Sequence, residues 1–271
     1  MQQDAGAQGV QMPAAIYDPG EVGREDHNTG DRFVVGLSNV FAWLFPILMI
    51  AICSQVVLRQ AGHNQAWLDD LQWWLYGAAV LIGVAYAVTT NSHVRVDIFY
   101  DNFDRKRQAR IDVFALAWCF LPFAILCWDV TLGYAISSVV ANEGSDSPNG
   151  LHNLWILKVL LNLSFVLLIV AIWAAYVRRI KVLGPITTGR LLVWSFPAVM
   201  FVVNLAFYYV VYVYHFVTLP EGENPRTITR KPIFDEFDLG PWEIKYTIVI
   251  PLALTLALIG AAIIRDARRA K

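Results

Sequence analysis

Six apolar runs, each about as long as a bilayer is thick, constrain this chain more than any other feature. They are roughly Phe33–Leu58, Leu71–Thr90, Ile111–Val140, Leu154–Val177, Leu191–Leu219 and Trp242–Ile264. A helix needs about 20 apolar residues to cross the hydrocarbon. A strand facing lipid would leave backbone groups unpaired, so each run must be helical. Only 16% of the residues are charged, against about 25% in an ordinary soluble domain. The fold class is therefore all-α, a polytopic membrane bundle of six transmembrane helices. Pro46, Pro122, Pro197 and Pro251 fall inside the runs and predict kinks.

Lysine and arginine set the expected orientation. Two precede or open the first run, Arg24 and Arg32. Five lie between the second and third, four between the fourth and fifth, and four after the sixth, which makes 15 on one side. The alternate segments hold five: Arg59, Arg226, Arg230, Lys231 and Lys245. Lys158 lies inside a run. This asymmetry predicts both termini in the cytoplasm. Trp67, Trp73, Trp74, Trp155 and Trp242 then sit near the outer ends of spans, where an aromatic belt belongs. Residues 1–30 are polar and lack an apolar signal segment, and are read as a flexible cytoplasmic tail. Residues 220–241 are read as the one long external loop.

Several chemistries find no support in the pattern. Cys53, Cys119 and Cys127 all fall within apolar runs without metal-ligand spacing, so they read as packing residues. A net charge of −1 gives no reason to expect a nucleic-acid partner. There is no GxSxG, HExxH or phosphate loop, so the reading is not an enzyme. No cofactor is expected. A haem-bearing electron-transfer subunit, the main alternative, would need histidines paired within spans. His27, His63, His93, His152 and His215 do not provide them, and a metal site among the outer three has no ligand spacing behind it. No span carries a broken, glycine-rich centre of the kind that binds substrates in carriers.

The densest charge lies in NSHVRVDIFYDNFDRKRQARID, residues 91–112. Its arginines and lysine hold the second connection inside. Val96, Phe99, Tyr100 and Phe103 recur at helical spacing, which predicts an amphipathic helix over about 95–108 along the inner surface. His93, Arg95 and Asp97 alternate where the second span leaves the bilayer, and a bond among them would set the turn.

With the preceding span, Arg110–Asp112 and Leu121–Pro122, this stretch resembles the small membrane subunit (Q, DctQ-like) of TRAP transporters, the tripartite ATP-independent periplasmic transporters. The resemblance covers about residues 33–181. It implies a DctQ-like four-helix membrane domain over 31–181, with His93, Arg95 and Asp97 as the family motif that fixes the bend. It further implies a scaffold for a large, substrate-carrying membrane subunit, fed by a periplasmic substrate-binding protein and taking up organic acids on an ion gradient. Residues 182–271 add two spans beyond the four usual in that family. An accessory role in another membrane complex is the remaining alternative.

Two ionisable side chains fall within spans. Asp129 and Lys158 lie toward the outer ends of neighbouring runs, and the reading pairs them as a structural tie. Asn162 and Asn204, deeper in, are expected to bond across helices.

Overall fold

The structure is a computed structural model, and it describes residues 24–92, 100–220, 224–234, 236–239 and 242–269. The helices are α1 (Thr29–Ala42), α2 (Leu44–Gln60), α3 (Ala66–Thr90), α4 (Arg105–Phe114), α5 (Leu121–Val140), α6 (Trp155–Leu183), α7 (Thr188–Trp194), α8 (Phe196–Val217) and α9 (Tyr246–Arg269). Six segments are long and apolar enough to cross a membrane: 29–60, 66–90, 105–140, 155–183, 196–217 and 246–269. The class is a polytopic α-helical membrane protein.

Prolines shape the spans where the sequence places them. A proline has no N–H, and its ring crowds the carbonyl four residues back. The first span breaks at Trp43, three residues before Pro46. The third passes through a π-helical segment, Ala115–Phe120, before Pro122. The fifth run is interrupted at Ser195, before Pro197, so α7 is a separate short helix. In α9, Pro251 stays inside the helix; its missing N–H leaves Thr247 O free, and Asn204 Nδ2 of α8 donates to that carbonyl at 2.8 Å.

The core is built from α3, α5 and α6, with the first turns of α1 against them. Ile82, Ala85 and Val88 of α3, Leu121, Ala124 and Ile125 of α5, and Leu167, Leu168, Ala171, Ile172 and Ala175 of α6 pack together with Val34 of α1. Alanines recur among them because close-packed membrane helices gain contact by letting backbones approach. Gly30 shows the same need: a Cβ there would lie 3.0 Å from Ala174 Cβ, so any side chain at that position pushes α1 away from α6.

Two differences from the sequence reading concern loops. The external segment is not plain loop. Strands β1 (Glu236–Leu239) and β2 (Trp242–Lys245) pair antiparallel, with Leu239 opposite Trp242. The sixth helix therefore begins at Tyr246, four residues later than its hydropathy suggested. At the other side, the described part of the expected 95–108 surface helix is a 3₁₀ turn at Tyr100–Asn102, followed by α4, which opens the third span at Arg105. Residues 93–99, with His93, Arg95 and Asp97, lie outside the described residues.

Candidate functional site, an arginine node that ties four helices

A polar cluster joins the start of α1, the end of α3, α4 and the end of α6. Asn28 caps α1 reciprocally: its side chain accepts from Asp31 N at 3.1 Å, and Asp31 Oδ2 accepts from Asn28 N at 3.0 Å. Such a capping box satisfies two donors that the helix start would otherwise leave unpaired. The Asn28 amide also donates to Ala174 O of α6 at 2.9 Å. Asp31 is fully buried, and Arg178 of α6 meets it, Nη1 to Oδ2 at 3.4 Å. The other nitrogen of Arg178, Nη2, donates to Thr89 O at the end of α3 at 2.8 Å. One guanidinium thus joins α1, α3 and α6.

Arg179, the next residue, extends the node to α4. Its Nε lies 3.1 Å from Asp112 Oδ2, and its Nη2 donates to Asn91 Oδ1 at 3.2 Å. Tyr100 donates its hydroxyl to the same Asp112 oxygen at 2.9 Å. Asn91 sits at φ 54°, a left-handed helix cap that asparagine tolerates. Arginine suits this position because a planar fork with five donors can serve several acceptors in fixed directions. His27, just before α1, is almost fully buried beside Arg178. Burial, and then the Arg178 charge, hold its pKa below the ordinary histidine value. A cleft of about 730 Å³ opens among these groups at this end of the bundle. It is lined by both signs of charge, including Glu25, Asp26, Arg105 and Lys181.

The opposite end is tied separately. Gln55 of α2 donates to Asp69 of α3 and accepts from Gln72, and Arg59 reaches Asp69 at 2.9 Å. Asp70 accepts from Leu151 N at 2.9 Å and holds the loop before α6.

The expected pair between Asp129 and Lys158 is not formed. Lys158 bonds Glu143, in the loop between α5 and α6, and lies over the Tyr134 ring at 4.1 Å. Glu143 also accepts from Ser138, and its pKa is lowered by the Lys158 and Ser138 hydrogen bonds. Lys158 is one turn inside its helix, so its long chain reaches the interface and takes the solvated carboxylate there. Asp129 instead accepts from the Tyr209 hydroxyl of α8. Through Tyr209, α8 is thus tied to α5. Tyr208 and Tyr212 stack at 6.4 Å, and Tyr208 meets Phe234 of the external loop at 5.3 Å. Asn162 donates to Trp128 O at 2.8 Å and Asn204 to Thr247 O at 2.8 Å, each across a helix pair.

The fold and node define a multi-pass membrane protein whose polar groups fasten helix ends together. Residues 48–182 match the family model described as "Tripartite ATP-independent periplasmic transporters, DctQ component". The chain belongs to this family, the small membrane component of TRAP transporters, through that half of its length. Residues after 182, with α7–α9, lie beyond the match. Comparison with curated proteins gives no match, and comparison with solved structures gives none.

Proposed function

We propose that the chain is the scaffold subunit of a TRAP-type secondary transporter and braces the large membrane subunit that carries substrate. The observation that carries this reading is the Arg178–Arg179 node, whose two arginines lie in the matched segment. It spends its charged groups on joining α1, α3, α4 and α6. A carrier instead needs polar groups presented to a ligand near the membrane midplane. In this reading the chain works without catalysis, and a periplasmic binding protein delivers organic acids to the large subunit, which takes them up on an ion gradient.

The proposed location is the bacterial inner membrane with both termini cytoplasmic. Support comes from the side on which the charged segments gather. Arg178, Arg179, Lys181, Arg105 and Arg24 belong to one end of the bundle, and the positive-inside rule assigns that end to the cytoplasm. The bend role of His93, Arg95 and Asp97 belongs to the same proposal.

Reconstitution tests it. The chain alone in proteoliposomes should move no organic acid down or against an imposed sodium or proton gradient. The chain with its large subunit and binding protein should. Uptake by the chain alone would end the scaffold reading.

A further inference from the structure

Lys231, in the segment between α8 and the β1–β2 pair, meets a histidine and not a carboxylate. Its ammonium lies 3.3 Å from His215 Nδ1, in the last turn of α8. Both residues are half-buried, and among the described residues neither side chain has another hydrogen-bond or ion-pair partner. The turns Pro225–Arg230 and Pro232–Phe234 lie against α8 and α9 respectively. Ile228 of the first turn is fully buried, and Phe234 of the second meets the Tyr208 ring edge-on at 5.3 Å. The segment is therefore seated on the helices by apolar contacts, with one polar contact beside them.

That polar contact admits one arrangement of protons. An ammonium has donors and no acceptor, so the bond forms only while His215 Nδ1 keeps its lone pair. The ring is then neutral, with its proton on Nε2. Protonation makes Nδ1 a donor and sets two positive charges 3.3 Å apart. Repulsion at that separation shifts an equilibrium about tenfold even at the dielectric constant of water. The helix acts in the opposite sense. A cation is favoured at a helix C-terminus, and His215 lies two residues from the end of α8. A protonated ring therefore stays with α8, and Lys231 is the group that leaves. The other groups nearby do not cancel this contest. Tyr214 of α8 meets the ring edge-on at 5.3 Å, and Arg230 of the segment is exposed and adds to the positive charge. Lys245 and Tyr246, at the start of α9, make no bond to the ring. Asp129 of α5 is engaged by Tyr209, six residues back along α8.

We infer that His215 and Lys231 form a proton-operated latch: the neutral ring holds the 225–234 segment on α8, and the protonated ring releases it. Histidine is the side chain whose charge ordinarily changes between pH 5 and 8, so that range operates the latch. Release takes Phe234 off the Tyr208 ring, which stacks on Tyr212, and opens the end of α8. The latch stands on the contact alone; its placement on the outer face rests on the proposed orientation.

Methyl NMR of the full chain in lipid nanodiscs tests it, through the δ1-methyl signal of the buried Ile228. Between pH 8 and pH 5 the ratio of docked to released segment should fall about tenfold. The methyl signal of Ile172, fully buried in the main core, should stay where it is. His215→Gln keeps an acceptor for Lys231 but cannot take a proton, so its Ile228 signal should remain at the docked position at both pH values. Lys231→Met leaves a protonated ring nothing to repel, and its Ile228 signal should be equally insensitive to pH. A wild-type ratio that is the same at pH 8 and pH 5 overturns the latch. So does a fall of equal size in His215→Gln or Lys231→Met, or a fall in which Ile172 moves together with Ile228.

Discussion

The first four spans and the last two are held together by different means. In the first four spans the most apolar stretch is 11% to 33% buried, most in α6, and polar ties fix both ends of the helices. In the extension the corresponding stretch is 6% buried in α8 and 22% in α9. The extension closes chiefly on itself. Gly189 N donates to Asp266 of α9 at 2.6 Å, Arg265 donates to Thr188 at 2.6 Å, and Asn204 bonds Thr247. It rests on the rest of the bundle through Ala198, Phe201 and Leu205 at the main core, through Leu191 and Trp194 against Val113, Ala117, Tyr176 and Ile180, and through hydrogen bonds from Tyr209 to Asp129, Trp118 Nε1 to Trp194 O at 2.8 Å and Tyr176 to Leu191 O at 2.7 Å. Membrane helices gain no hydrophobic drive toward each other, so the number of close contacts and polar ties decides how firmly two parts are joined. By that measure the family segment is one braced body and the extension a second, attached one.

The largest effect should come from the node. Arg178→Ala strands the fully buried Asp31 carboxylate without its cation, which costs about 3–5 kcal/mol. Thermal unfolding in detergent should show it. The double change Arg178→Met with Asp31→Leu should recover most of the loss, because it removes both charges. If the single variant is as stable as wild type, the braced body is not braced there.

A smaller effect is expected inside the extension. A side chain at Gly189 would come 2.9 Å from Ile263 Cγ1 and 3.1 Å from its Cα, so Gly189→Ala must push α7 from α9 at about 1–3 kcal/mol. Limited proteolysis should then cut near α9 faster, with α3 and α6 protected as before. Equal loosening of α6 would merge the two bodies into one.

Smaller again is the tie between them. Tyr209→Phe removes the hydroxyl that Asp129 accepts from, worth about 1 kcal/mol. The expected readout is faster amide exchange in α8, with α6 unchanged.

The least effect is one of pH. The folded pKa of His27 is lowered, so the fold favours the neutral ring. Stability from this group is complete above the unfolded value of about 6.5 and is lost as pH falls from there through the folded value. The melting temperature of wild type should therefore decline across that window, and His27→Gln should flatten the decline. Glu143 acts lower on the scale. Its lowered pKa makes its contribution full above the unfolded carboxylate value of about 4.3, lost as pH falls through the folded one.

Hydropathy and proline position made the six spans and their breaks legible, because lipid imposes length and backbone satisfaction on any crossing helix. The node was not legible. Asp31 and Arg178 are 147 positions apart, and nothing in a run of basic residues says which one turns inward. Depth alone pairs Lys158 with Asp129, but a snorkelling lysine reaches Glu143, in the loop, more easily. The paired strands Glu236–Leu239 and Trp242–Lys245 are not legible because four residues carry too little alternation to stand out from loop composition.

Hydrogen exchange of the intact chain, resolved by helix, tests the central claim of two bodies most directly. The account predicts slow exchange through α3, α5 and α6 and faster exchange in α8. It also predicts that Arg178→Ala speeds exchange at the Asp31, Thr89 and Arg178 ends of α1, α3 and α6 while leaving α8 and α9 as they were. Uniform protection across all six spans, or an Arg178→Ala variant that loosens every helix alike, would contradict it.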